Sequence, residues 1–432
     1  MTNTREIILD ALMEILEKQQ YSHLVMQGVL EKYSYLEKQE RSFIKRVCEG
    51  TTEQKIRIDY VIDRFSKTKT VKMKPLIRTL LRMGTYQILF MDKIPDSAVC
   101  NESVKLAEKR GFRTLKGFVN GVLRAIARNK DSIEYPDRIK EETAYLSVMY
   151  SMPEELVRLW QQQYGKEKAE TILSALLEKR PLTIRVSEEL TEDEKEGLLA
   201  DMREEGITVT PTMLPYVFAL GGVDRVSNLP GYDEGRFVVQ DLGSAMVVEM
   251  AGIRRGDYVV DVCAAPGGKA THAAVKTGGD GHVLARDLTE YKVSLIEENM
   301  DRLSLTNMEA QVWDATVSDE TLESRADVVI ADLPCSGLGV IGRKSDIKYR
   351  VSRKSLDEVA QLQRRILSVV HTYVKPGGVL LYSTCTINRA ENEENKNWFL
   401  SQFPFEEEEE RLMLPGEDGS DGFYMVRMRK KA

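Results

Sequence analysis

Through the first 130 residues, apolar side chains recur at helical intervals almost without interruption. Ile7, Ile8, Ala11, Leu12, Ile15 and Leu16 set the spacing. Ile77, Leu80, Leu81, Gly84, Ile88 and Leu89 repeat it after Pro75, a residue favoured at the first helical position. A further run leads from a cap at Asp96 through Val99, Val104 and Ala107 to a stop at Gly111. Phe118, Val122, Leu123 and Ile126 continue the pattern. An all-α bundle over residues 1–130 is expected, and by itself it states no chemistry. A polar connector follows from about 131 to 150. Pro153 then starts a helix through Leu156, Leu159, Trp160 and Tyr164, and Ile172, Leu173, Leu176 and Leu177 mark another. Pro181-Leu-Thr-Ile-Arg-Val186 reads as a strand, 190–205 as helical, and 206–240 as short strands among glycines and prolines. Residues 131–235 are thus expected to hold the connector and a small α+β domain.

From Asp241, where an amphipathic helix is expected to run to Ala251, strand and helix signals alternate. That alternation predicts an α/β domain over 236–432 with a doubly wound, Rossmann-like parallel sheet. Tyr258-Val-Val-Asp-Val262 is its first strand, His282-Val-Leu-Ala285 its second and Ala310-Gln-Val-Trp313 its third. Two more apolar runs, Val328-Val-Ile330 and Val379-Leu-Leu-Tyr382, complete the parallel series. Phe423-Tyr-Met-Val-Arg-Met428 is expected as a closing edge strand, and the acidic run Glu406 to Glu410 as a solvated face.

Composition adds location and charge. The chain of 432 residues is 42% hydrophobic and 30% charged, that of an ordinary soluble protein of several domains. No apolar run approaches the ~20 residues needed to cross a bilayer, and the polar start Met1-Thr-Asn-Thr-Arg5 is no signal peptide. A cytoplasmic protein is expected. Its five cysteines agree, being odd in number and without a C-x-x-C pair. Net charge is −7, but residues 1–130 carry 25 lysines and arginines against 15 acids, a net +10 that leaves −17 for the rest. A basic N-terminal part suits a phosphate-bearing partner while the acidic remainder maintains solubility.

The candidate chemistry lies just past strand ends, where open α/β sheets bind ligands. Asp332-Leu-Pro-Cys-Ser-Gly-Leu-Gly339 ends one strand and Ser383-Thr-Cys-Thr386 another. Cys335 alone reads equally as a small core residue. Together with Asp332, Pro334 and Cys385, it points to thiolate chemistry. The turn Cys263-Ala264-Ala265-Pro266-Gly267-Gly268-Lys269 carries backbone close to a ligand at a helix start, where free N–H groups receive an anion. Cys263 and Ala270 stand where a phosphate loop needs glycine and Ser or Thr, and no G-x-G-x-x-G is present. The remaining reading is the cofactor turn of an S-adenosylmethionine-dependent methyltransferase. Asp287, ending the second strand, would accept from the ribose hydroxyls, and Asp314, ending the third, from the adenine amino group. Lys269 has two open readings: an ammonium that depresses a thiol pKa, or a contact to a phosphate or carbonyl. Four histidines and no clustered ligands leave no need for a metal.

Two resemblances sharpen this. Lys38 to Gly50, Leu80 to Leu89, Pro95 to Lys105 and Lys116 to Arg124 resemble the NusB family of RNA-binding helical domains, over about residues 4–129. Cys48 and Cys100 fall inside those helical patterns and are expected in the core. Asp261-Val-Cys-Ala-Ala-Pro-Gly-Gly-Lys269, Asp332 to Gly339 and Tyr382-Ser-Thr-Cys-Thr-Ile387 resemble the RNA (cytosine-5) methyltransferases, as do Asp346-Ile-Lys-Tyr349 and Asp421-Gly-Phe-Tyr424. With a NusB-like part in front, the chain resembles the bacterial 16S rRNA (cytosine-5) methyltransferases. It departs from them at Ala270, where threonine is usual, and at Arg286, where the approach to the acid is more apolar.

The resemblance implies a monomeric enzyme that uses S-adenosylmethionine on 16S ribosomal RNA, naked or in a partly assembled small subunit. It implies Cys385 as nucleophile at carbon 6 of cytosine, Cys335 as the residue assisting release, and Asp332 on the base's N3/N4 edge and among the cofactor's neighbours. A thiolate at carbon 6 makes carbon 5 enamine-like and able to attack a sulfonium methyl. The target base must leave any stack to reach such a pocket. Two other functions fit parts of the pattern. An RNA-binding assembly or antitermination factor with a non-catalytic scaffold is disfavoured by the intact cysteines, Asp332 and glycine turn. A DNA cytosine-5 methyltransferase is disfavoured by Cys385 and the helical RNA-type domain.

Overall fold

The computed structural model describes residues 3–417 and 420–432. The chain divides into two units. One holds the residues up to Glu178 together with Ile341–Arg350, and the other holds Lys179–Val340 with Val351–Ala432.

The first unit is helical, as its apolar spacing predicts. Helices run Thr4–Leu12, Ser22–Lys32, Lys38–Glu53, Lys55–Phe65, Pro75–Phe90, Asp96–Lys109 and Lys116–Asn129. Their apolar faces meet in one core that includes Ile8, Ile44, Leu80, Leu123, Cys48 and Cys100. Gly50 is required there, since a Cβ would lie 2.1 Å from the Tyr86 ring. The cap expected at Asp96 falls instead on Pro95. Part of the expected connector is the helix Glu142–Met149, which buries Leu146, Ser147 and Val148. So few buried positions in so short a stretch show no period to read. Glu154–Tyr164 and Lys166–Ala175 follow in the same unit.

Ile341–Arg350 joins this unit although it follows the Cys335 loop in sequence. Lys348, 1% exposed, donates Nζ to the Glu53 carbonyl at 2.7 Å. The Tyr349 hydroxyl donates to the Thr52 carbonyl at 2.7 Å. Asp346 accepts from the Ser22 N–H at 3.2 Å and pairs with Arg350 at 3.1 Å. Burial lowers the Lys348 ammonium to about 7. The unit's basic residues divide into two kinds. Arg78 and Arg82 are committed to Glu17 and Asp59 inside the fold, while Lys67, Lys69, Lys72 and Lys74 are exposed along one loop.

The second unit contains two sheets. Strands β1 (Leu182–Val186), β2 (Thr208–Pro211), β3 (Val217–Gly221) and β4 (Phe237–Val239) form an antiparallel sheet in the order β2-β3-β1-β4. The helix Glu192–Glu204 packs Leu198, Leu199 and Met202 with Phe218 and Phe237 of that sheet. The larger sheet comprises β5 (Tyr258–Asp261), β6 (His282–Asp287), β7 (Met308–Val312), β8 (Ala326–Asp332), β9 (Val374–Thr384), β10 (Phe405–Met413) and β11 (Phe423–Lys430). Its order is β10-β11-β9-β8-β5-β6-β7, with β5 to β9 parallel as expected. Between the two sheets lies the helix Leu242–Ala251. It is not amphipathic but buried on most of its surface: Ala245 packs with Val217 of the smaller sheet and Val248 with Met425 of the larger.

Two expectations at the C-terminus change places. Phe423 to Met428 lies inside the sheet, paired with β9 and β10, and the acidic run is the edge strand β10. The acids are also ion-paired, Glu408 with Arg427 at 2.7 Å and Glu410 with Lys396 at 2.9 Å. A charged edge resists pairing with another chain's strand.

Candidate active site

Strand β5 delivers its last residue, Asp261, to the carboxyl end of the sheet, and the chain turns through Cys263 to Gly267 into the helix Gly268–Thr277. Gly267 sits at φ +107, a conformation that L side chains rarely adopt, which makes glycine the residue for this turn. Asp287, 4% exposed at the end of β6, braces it. Its Oδ2 accepts from the Ala265 N–H at 3.0 Å, and its Oδ1 from the Leu288 N–H at 2.7 Å and Lys292 Nζ at 2.9 Å. Asp314 follows β7 on the surface. It accepts from the Thr316 N–H at 2.9 Å and hydroxyl at 2.7 Å, which hold its carboxyl below the usual range.

Asp261 is buried and accepts from the Cys263 N–H at 3.3 Å through Oδ1, while its Oδ2 has no partner. Burial pushes its carboxyl up to about 7, against the pull of Lys269. Burial, with the acids nearby, also pushes the Cys263 thiol up, so it stays neutral. These residues fit S-adenosylmethionine. The orphaned Asp261 oxygen suits the cofactor's ammonium, and Asp287 has one of roughly four lone-pair sites left for a ribose hydroxyl. The N–H groups at the start of the helix remain for a carboxylate or ring nitrogen.

The two strand-end cysteines meet. Parallel pairing of β8 with β9 sets Asp332 beside Ser383, and beyond those residues Cys335 Sγ lies 3.2 Å from Cys385 Sγ. Gly339 closes the approach: its N–H donates to the Cys385 carbonyl at 3.1 Å, and a Cβ there would lie 2.1 Å from the Gly422 oxygen. The hydrogen bond with Cys385, together with burial, raises the Cys335 thiol well above its ordinary value. Lys269 answers its open reading in part. Its Nζ donates to Asp332 Oδ2 at 2.5 Å, and Ser383 Oγ donates to Asp332 Oδ1 at 2.8 Å. Burial is the largest influence on Lys269 and pulls its pKa down, but the charge and hydrogen bond of Asp332, with Asp261 and Cys385, together raise it. Cys385 thus lies within electrostatic reach of the ammonium.

Sequence reasoning missed the residues that hold these loops. Ser383, Ser336 and Thr386 appear in the sequence only as polar neighbours of the site residues, and Glu391 carries no reading at all. Glu391 is fully buried and accepts from the Ser336 N–H at 2.8 Å and hydroxyl at 2.6 Å. The stretch Asn388-Arg-Ala-Glu-Asn-Glu-Glu394 has the charge of an exposed helix start, so no local signal marks it. Among the described residues, Glu188, Glu249 and His272 form a group of metal-ligand type. The Lys276 ammonium already bridges its two carboxylates, at 2.8 and 2.6 Å.

A doubly wound sheet with a glycine turn after its first strand and acids ending the next two defines an S-adenosylmethionine-dependent methyltransferase fold. Similarity to known proteins narrows this. The family model described as 16S rRNA methyltransferase RsmB/F matches residues 249–429, the NusB family matches 2–128, and an RsmF/B-like ferredoxin-like domain matches 152–221. The probable ribosomal RNA small subunit methyltransferase B of Bacillus subtilis (strain 168) is 37% identical, over 100% of this chain and 99% of the relative. The ribosomal RNA small subunit methyltransferase B of Escherichia coli O1:K1 / APEC is 28% identical over 99% of each. Among solved structures, PH0851 superposes with a TM-score of 0.83 at 24% identity, over 100% of this chain and 99% of its own. NSun6 from Pyrococcus horikoshii, solved with SFG, gives 0.59 at 21% identity over 66% of this chain and 100% of its own. The chain belongs to the RsmB/F family of S-adenosylmethionine-dependent 16S rRNA methyltransferases. Among the described residues no helix is long and apolar enough to cross a membrane.

Proposed function

We propose that this protein methylates carbon 5 of a cytosine in 16S ribosomal RNA through a transient covalent bond from Cys385 to carbon 6. The carrying observation is the pair of sulfurs 3.2 Å apart, with the Lys269–Asp332 pair beside them. A single nucleophile needs no second thiol at that distance. A reaction that must both form and break a carbon–sulfur bond has use for one sulfur that ionises and one that keeps its proton.

Cys385, near the Lys269 ammonium, adds to carbon 6 as the thiolate, while Asp332 holds the base's N3/N4 edge and favours protonation there. S-adenosylmethionine supplies the methyl group to the enamine-like carbon 5. The carbon 5 proton then passes to water, and its bonding pair restores the ring double bond as the carbon 6–sulfur bond breaks. Cys335 assists that release. Asp287 and Asp314 are assigned to the cofactor's ribose and adenine, with the turn from Cys263 to Lys269 beside them. The exposed lysines of the helical unit suit the RNA backbone.

The test separates the thiols. Cys385→Ala is expected to bind RNA and give neither product nor adduct. Cys335→Ala is expected to accumulate protein cross-linked to RNA, seen as a retarded band on a denaturing gel. An adduct with Cys385→Ala but never with Cys335→Ala reverses the roles. Full activity in both variants without any cross-link removes the covalent mechanism.

A further inference from the structure

Behind the paired cysteines lies a buried polar assembly that the reaction as described does not use. At its centre is Glu391, just before the helix Glu393–Gln402. Four hydrogen bonds from neutral donors converge on its carboxylate. Ser336 gives its N–H to Oε2 at 2.8 Å and its hydroxyl to Oε1 at 2.6 Å. Asn388 Nδ2 donates to Oε1 at 3.0 Å and Gln363 Nε2 to Oε2 at 3.2 Å. Burial raises the carboxyl above its ordinary range against the pull of these bonds.

The bonds have a direction. Ser336 Oγ has one hydrogen, and the carboxylate takes it. Thr386 Oγ1, 2.8 Å from Ser336 Oγ, must then be the donor in that contact. Thr386 Oγ1 in turn accepts from the Asn388 N–H at 3.3 Å. Ser336 is the neighbour of Cys335 and Thr386 the neighbour of Cys385, so one carboxylate orients both cysteine loops through a single hydroxyl chain. The same acid steadies the residue before Cys335: Gln363 Nε2 also donates to the Pro334 carbonyl at 2.9 Å. On β9 the Tyr382 hydroxyl contacts both Gln363 and the Glu391 carbonyl.

We propose that Glu391 is the positioning residue that keeps Cys335 and Cys385 in register for the reaction, acting through Ser336 and Thr386. It touches neither substrate nor cofactor. The proposal rests on the reading of the two cysteines as the reacting thiols. An amide at position 391 has one acceptor oxygen for the four donor contacts, so the chain must reverse or break. A displacement of about 1 Å at a reacting group can lower turnover ~100-fold.

The experiment uses full-length protein with 16S rRNA and S-adenosylmethionine. Glu391→Gln is expected to lower kcat by about 100-fold, with the Kd for S-adenosylmethionine and the KM for RNA within about twofold of wild type. Ser336→Ala and Thr386→Val, which remove only hydroxyls of one chain, are expected to lower kcat individually by about tenfold and no further when combined. This pair decides the matter if Glu391→Gln does not fold. Losses that multiply in the double variant, or kcat within about threefold of wild type in Glu391→Gln, overturn the proposal. A merely structural role would instead lower cofactor affinity and melting temperature together with kcat. Cys335→Ala is the control for the underlying reading. Its adduct, together with unchanged kcat in Glu391→Gln, removes Glu391 alone. Absence of an adduct with both Cys335→Ala and Cys385→Ala removes the two-thiol reading and the proposal with it.

Discussion

Replacing Asp287 by alanine removes the acceptor that three donors share: the Ala265 N–H at 3.0 Å, the Leu288 N–H at 2.7 Å and Lys292 Nζ at 2.9 Å. Lys292 is half exposed and turns to water at little cost. The Ala265 N–H, in the turn after β5, and the Leu288 N–H, just past β6, become unpaired, at about 1–3 kcal/mol each if they stay dry. Water enters the space the carboxylate leaves, so a total near 2 kcal/mol is expected from the fold. A ribose hydroxyl bound to an ionised acceptor is worth about 1.5–3 kcal/mol, which is roughly 10- to 150-fold in Kd. Asp287→Ala should therefore remain folded, melt earlier than wild type, and bind S-adenosylmethionine 10- to 150-fold more weakly by titration calorimetry. Asp287→Asn, which keeps one acceptor oxygen, should fall between. An affinity within about twofold of wild type, with an earlier melt, would leave Asp287 as a brace only. Weaker binding with an unchanged melt would refute the bracing of the turn.

Three further outcomes are expected. Asp261 has its pKa raised to about 7, so in free protein its carboxyl is protonated below neutrality. If its orphaned oxygen takes the cofactor's ammonium, affinity should strengthen as pH rises from 6 to 8 and the carboxylate forms, and Asp261→Asn should flatten that profile; a parallel profile in the variant excludes the contact. Replacing Lys67, Lys69, Lys72 and Lys74 by alanine should reduce the slope of log K for RNA against log salt by about 0.7 for each phosphate no longer neutralised, leaving cofactor affinity unchanged; equal slopes would make that loop ordinary surface. Asp346→Ala loses bonds to Ser22 and Arg350, so trypsin should cut faster at Arg343, Lys344 or Arg350, and an unaltered digestion rate would show that these bonds do not hold the segment.

What the sequence determined by itself was whatever local pattern encodes. The helices of the first unit were legible because Ile77, Leu80, Leu81 and Leu89 repeat with the helical period, and Pro75 stands at the first helical position. The parallel strands were legible as short apolar runs alternating with helical stretches, and that alternation placed Asp287, Asp332, Cys335 and Cys385 at one end of a sheet. Tertiary structure decided everything that depends on which runs become neighbours. Nothing local tells that Phe423–Lys430 enters the sheet beside β9 while the acidic β10 takes the edge, because strand order is set by pairing between segments distant in sequence. Likewise, Ile341–Arg350 reads as a loop of the catalytic domain, yet its Lys348 and Tyr349 find their acceptors on the carbonyls of a helix near the N-terminus. The 3.2 Å between the sulfurs follows from the register of β8 on β9, a long-range pairing. Glu391 was the hardest to foresee: a carboxylate beside other acids looks solvated, and only burial against Ser336, Gln363 and Asn388 shows that its charge is directed inward. Period and propensity are properties of neighbouring residues, whereas register, burial and hydrogen-bond direction arise only when distant segments meet.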